Sequence, residues 1–90
     1  MTINVKQYLD ENYPEEELLI IDGFDEAFVG VGYQFHKAVT CYDKDKIIEL
    51  LIRDDMTFEE ALEYFEFNIV RGIAYLGEQA PIIIDSVKED

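Results

Sequence analysis

Glu59, Glu63 and Glu66 stand at i, i+4 and i+7, a spacing that lines three carboxylates along one face of an α-helix. Such a row can imitate the phosphates of a nucleic-acid backbone and occupy a basic channel. Its plainer use is a solvated helix face. Tyr64 and Phe67 fall beside the row and off the apolar stripe of the same segment. Aromatics flanked by charge suit a protein-binding surface, and a second core or a homodimer contact uses them equally well. These five residues are the candidate partner-binding set.

Other chemistries find less support. Nucleophilic catalysis needs a base within reach, and the chain holds one Cys, Cys41, and one His, His36. They lie across the expected turn of a hairpin, which makes a core thiol and a turn histidine rather than a dyad. Asp22, Asp25 and Glu26 around Gly23 could converge on Mg²⁺ or Ca²⁺, although a turn with a capping aspartate uses the same residues. Asp43, Asp45 and Glu49 lack the glycine and the spacing of an EF-hand loop. A single Cys and a single His cannot close a zinc site, and Gly30-Val31-Gly32 lacks the third glycine and following helix of a dinucleotide fingerprint. No catalytic, cofactor or metal residue is assigned, and a metal-dependent enzyme built on Asp22, Asp25 and Glu26 is a distant alternative.

The formal net charge is −14 over 90 residues. That charge disfavours direct contact with nucleic-acid phosphates or anionic membranes and makes a basic protein the natural partner; solubility alone also accounts for it. The acids are not spread evenly. Residues 10–26 carry eight and no Lys or Arg; residues 49–66 carry seven against Arg53. Between them, residues 27–48 hold Lys37, Lys44 and Lys46 against Asp43 and Asp45. At 49% hydrophobic and 13% aromatic, the chain has the apolar content of a folded body rather than of an acidic tail. No apolar run approaches the roughly 20 residues of a membrane span, and the N-terminus shows no secretory pattern. A cytoplasmic protein with a reduced thiol is the expectation.

The elements that position these residues follow from local pattern. Thr2 can cap a short helix over residues 3–11, with Val5, Tyr8 and Leu9 on one face. Residues 18–21, Leu-Leu-Ile-Ile, read as a strand stopped by Asp22-Gly23. Residues 27–35 and 37–42 alternate as the two strands of an antiparallel hairpin turning near His36. The alternation sets Val29, Val31 and Tyr33 opposite Phe28, Gly30 and Gly32, and the two glycines invite a helix or another backbone to pack closely over their face. Asp43 caps a helix with an apolar stripe from Ile47 to Ile52, broken at Asp54-Asp55. Thr57-Phe58-Glu59-Glu60 is a capping box, opening a helix with Phe58, Ala61, Leu62, Phe65 and Ile69 at core spacing and an end near Arg71-Gly72. Gly77 and Pro81 bracket a loop, Ile82 to Ile84 form a last strand, and residues 88–90 fray. The expected fold is one α+β domain: an antiparallel sheet of three or four strands, two consecutive helices packed on one face, and a short N-terminal helix.

The stretches Gly23-Phe24-Asp25-Glu26-Ala27-Phe28-Val29-Gly30, Ala38-Val39-Thr40-Cys41-Tyr42-Asp43 and Glu60-Ala61-Leu62-Glu63-Tyr64-Phe65-Glu66-Phe67-Asn68, followed by Tyr75-Leu76-Gly77-Glu78 and Pro81, together resemble a family of small acidic proteins common in bacteriophage and prophage genomes. The resemblance covers roughly residues 23–84. It carries no assigned activity. It implies a setting in which such proteins act as accessory factors on host machinery, defence nucleases included. The expected function is non-catalytic binding of a basic host protein, inhibitory and phage-related, with a homo-oligomer lacking an external partner as the structural rival.

Overall fold

The computed structural model describes residues 3–34 and 36–87. The expectations for Thr2 as a cap, for Phe35 as the end of a strand and for the fraying of 88–90 lie outside these residues. Helix α1 (Val5–Asn12) is opened by Asn4, whose side chain accepts the Gln7 N–H at 3.0 Å, and it buries Val5 and Leu9. A single 3₁₀ turn at Asp25–Ala27 leads into strand β1 (Phe28–Gln34), which pairs antiparallel with β2 (Lys37–Asp43). The hairpin is therefore where alternation placed it.

Strand β3 (Ile82–Ile84) pairs with β2 in parallel, Cys41 against Ile82 and Asp43 against Ile84. The three-stranded sheet, ordered β1-β2-β3, is mixed rather than antiparallel throughout. The connection allows the difference: the chain leaves β2 through two successive helical segments, long enough to cross over and return a parallel strand, which a short hairpin turn cannot do.

Residues 18–21 form no strand. Both edges of β2 are taken by β1 and β3, so the segment meets that strand through side chains. The Thr40 hydroxyl donates to the Leu19 carbonyl at 2.6 Å, and the Tyr42 hydroxyl accepts the Ile21 N–H at 3.0 Å. Two side chains two residues apart on β2 do for this segment what a ladder would have done.

A β-bulge between Phe28 and Gly30 changes the faces of β1. Phe28 pairs with Tyr42, whereas Gly30 pairs with Cys41 and Gly32 with Val39. Partners across a ladder share a face, so Phe28 joins Val31, Thr40 and Tyr42 instead of lying beside the glycines. No helix or other backbone among the described residues packs closely over the two glycines themselves: an added Cβ at Gly30 would meet nothing within 4 Å, and one at Gly32 would lie 2.9 Å from the Cys41 sulfur. The thiol fills the space at Gly32.

Asp43 ends β2 and caps α2 (Lys44–Arg53), accepting the Lys46 N–H at 3.0 Å. After Asp55, held at a φ of 73°, the capping box closes in both directions. Thr57 Oγ1 accepts the Glu60 N–H at 3.1 Å, and Glu60 Oε1 accepts the Thr57 N–H at 2.9 Å. The helix it opens runs as α3 (Phe58–Tyr64), a π-helical stretch at Phe65–Val70, and α4 (Arg71–Ala74), with helical backbone at each junction. It passes through Gly72 rather than ending there.

The buried stripe of this helix is Ala61, Phe65 and Ile69, with Ile73 partly buried against the same core. A strict spacing of four drifts by roughly 40° per step on an ordinary α-helix. Bonds to the fifth residue over Phe65–Val70 widen the turn and oppose that drift, which keeps Phe65, Ile69 and Ile73 on the core. Traced backward, the stripe reaches Thr57. Phe58, expected in the core, is instead 59% exposed at the first residue of α3. Tyr42, Ala27, Ile47, Ile48 and Leu51 complete the core, with Phe28 and Ile83 packed against it.

Candidate protein-binding surface

The helix face opposite the core carries the predicted set. Glu59, Glu63 and Glu66 are exposed, as are Tyr64 and Phe67. Two shallow hollows open on this face. One is lined by Met56, Glu60, Glu63, Tyr64, Phe67 and Asn68. The other is lined by Leu62, Glu63, Glu66, Phe67, Val70 and Arg71. Glu63 and Phe67 belong to both and form the ridge between them. The structure thus gathers Glu63, Glu66 and Tyr64 around Phe67, while Glu59 lines neither hollow.

Glu60 takes the place expected of Glu59. Sequence reasoning assigned Glu60 wholly to the capping box, yet only its Oε1 accepts the Thr57 N–H, and its side chain also borders the first hollow. Val70 and Arg71, three and four residues beyond Phe67 and so its neighbours on a helix, were missed because the helix was expected to end near Arg71-Gly72, whereas it continues to Ala74. The Arg71 guanidinium lies 4.9 Å from the centroid of the Phe67 ring.

Electrostatics set this face apart. Arg53 bonds Glu26 at 3.1 Å and approaches Glu49 at 3.6 Å, Lys46 reaches Glu49 at 3.3 Å, Lys6 pairs with Asp10 and Lys37 with Glu78. Among the described residues no ion pair involves Glu59, Glu60, Glu63 or Glu66. Their charge is left to solvent or to a partner. Tyr64 at 40% exposure, Phe67 at 56% and Val70 at 37% add apolar area within that field.

The alternative sites resolve into structural roles. The Asp25 carboxylate accepts the Val5 N–H at 3.3 Å, pinning the start of α1, and Glu26 faces Arg53 and Lys46. Asp22, Asp25 and Glu26 do not converge, and among the described residues no group of three or more His, Cys, Asp or Glu side chains is placed to hold a metal ion. Cys41 is buried on β2, and burial pushes its thiol above the ordinary value, which suppresses the nucleophilic thiolate. His36 sits exposed at the hairpin tip, roughly 16 Å away along an extended strand. The two make no dyad. No described helix is long and apolar enough to cross a membrane.

Comparison with known proteins brings no matching family model, no matching curated relative and no matching solved structure, so the reading of this surface rests on its own geometry.

Proposed function

We propose that this chain is a non-catalytic protein-binding factor that engages a basic, nucleic-acid-binding partner through the acid-rimmed aromatic face of α3 and its π-helical continuation. One observation carries the reading: Tyr64 and Phe67 are exposed among four carboxylates that form no ion pair with a described residue. Solvent-exposed aromatic surface is apolar area awaiting cover, and the surrounding negative field selects cover that is positively charged. An inhibitor acting in this way occupies the channel its partner reserves for phosphates. The setting implied by the resemblance, a phage-borne factor directed at host machinery, belongs to the same proposal.

The test pairs capture with kinetics. Wild type and the triple variant Glu59→Gln, Glu63→Gln, Glu66→Gln are presented to a bacterial lysate, and association with the captured protein is measured at low and high salt. The variant is expected to associate more slowly and to lose much of the salt dependence. A folded variant with unchanged association at both salts removes this face from the interface. A stable dimer in sedimentation, lost on Phe67→Ala and accompanied by no capture, replaces the proposal with the homo-oligomer.

A further inference from the structure

We infer that this surface recognises arginine in particular, taking a guanidinium from the partner into the hollow between Met56 and Phe67. The inference rests on the basic-partner reading and adds to it the chemical group that is read. The chain supplies its own template. On one side of the Phe67 ridge, Arg71 already places its guanidinium 4.9 Å from the ring centroid, in a hollow bordered by Glu63 and Glu66. The hollow on the other side has the same ingredients without a cation: the Phe67 and Tyr64 side chains, the carboxylates of Glu60 and Glu63, and the Asn68 amide.

The chemistry of those groups favours guanidinium over ammonium. A guanidinium is planar and weakly hydrated, so it stacks on an aromatic ring while its edge donates to carboxylates in the ring plane. Lysine presents a compact, strongly hydrated charge that gains less from the ring. Glu63 borders both hollows. Glu60 keeps its Oε2 free of the capping bond to Thr57. Arg71 itself makes no ion pair with a described residue, and its guanidinium lies over the ring four residues before it on the same helix.

Short oligoarginine and oligolysine peptides of equal length are titrated into the protein, with amide chemical shifts of Tyr64, Phe67 and Asn68 as the site-resolved readout. The expected result is saturable movement of these signals, tighter for oligoarginine by roughly fivefold. Phe67→Leu, which keeps apolar bulk but not the ring, should retain the fold by circular dichroism and abolish that preference. Equal affinities for the two peptides, or a preference that survives Phe67→Leu, overturns the guanidinium reading and leaves the basic-partner reading standing. Shifts confined to the acidic stretch of residues 10–26 overturn both, as does an absence of binding at low salt.

Discussion

The Tyr42 hydroxyl accepts the Ile21 N–H at 3.0 Å, so a fully buried phenol on the central strand holds a segment twenty-one residues upstream. Tyr42→Phe should cost about 1–3 kcal/mol, because the Ile21 N–H loses its acceptor in a partly buried place. Chemical denaturation measures the loss; a change near zero would mean that water replaces the hydroxyl.

The same residue sets an alkaline limit. Burial, aided by the carboxylates of Asp25 and Asp22 and opposed by the Ile21 N–H, holds the Tyr42 phenol above its ordinary value of 10.0. The folded state then binds this proton more tightly than the unfolded chain. Its stabilising contribution is complete below the ordinary value and is lost as pH rises toward the folded one. Phenolate absorbance should show one tyrosine ionising late and together with unfolding, a step missing in Tyr42→Phe. A wild-type titration superposable on that of the variant, apart from amplitude, would refute this.

Gly32→Ala should destabilise, since the added Cβ meets the Cys41 sulfur at 2.9 Å on a buried part of the sheet. The expected loss is about 1–2 kcal/mol, and it should shrink in a Cys41→Ala background, where the space is free. A double-mutant cycle without coupling would show that the thiol is not the obstacle.

What local pattern reveals and what it conceals can be separated residue by residue. Asp43 and Thr57 announce their helices because a cap acts on N–H groups two or three residues away, and the hairpin follows from alternation over adjacent residues. The fate of residues 18–21 is decided elsewhere, by which edges of β2 are occupied, and no property of Leu18 to Ile21 encodes that. The parallel sense of β3 has the same non-local origin. The bulge at Val29 depends on pairing with Cys41 and Tyr42, so strict alternation misplaces Phe28. At the candidate surface, Glu63, Glu66, Tyr64 and Phe67 were legible from helical spacing. Glu60 and Arg71 were not, the first because one carboxylate serves two roles, the second because Gly72 reads as a helix end although the helix continues to Ala74.

Asp25→Ala should loosen α1 without unfolding the sheet. Its carboxylate accepts the Val5 N–H, a group at the start of the helix where unpaired donors and the helix dipole both favour an anion. A loss of about 1 kcal/mol is expected, with faster hydrogen exchange in α1 than in β2. Uniform acceleration across the chain would show that α1 does not open independently.

Phe58 and Phe65 sit seven residues apart on one helical rod, a separation that on an ordinary α-helix puts both on the same face. The structure treats them differently: Phe65 is 3% exposed and Phe58 59%. Phe65→Ala should cost about 3–5 kcal/mol, through lost transfer energy and a cavity among Tyr42, Leu51 and Ala61. The Lys44 ammonium, 5.6 Å from the Phe65 ring centroid, loses a cation–π contact in the same variant. Phe58→Ala should stay within about 0.5–1 kcal/mol, since the removed surface is mostly in water already. Comparable losses at the two positions in urea unfolding would place Phe58 in the core beside Phe65, against the 59% exposure of its side chain.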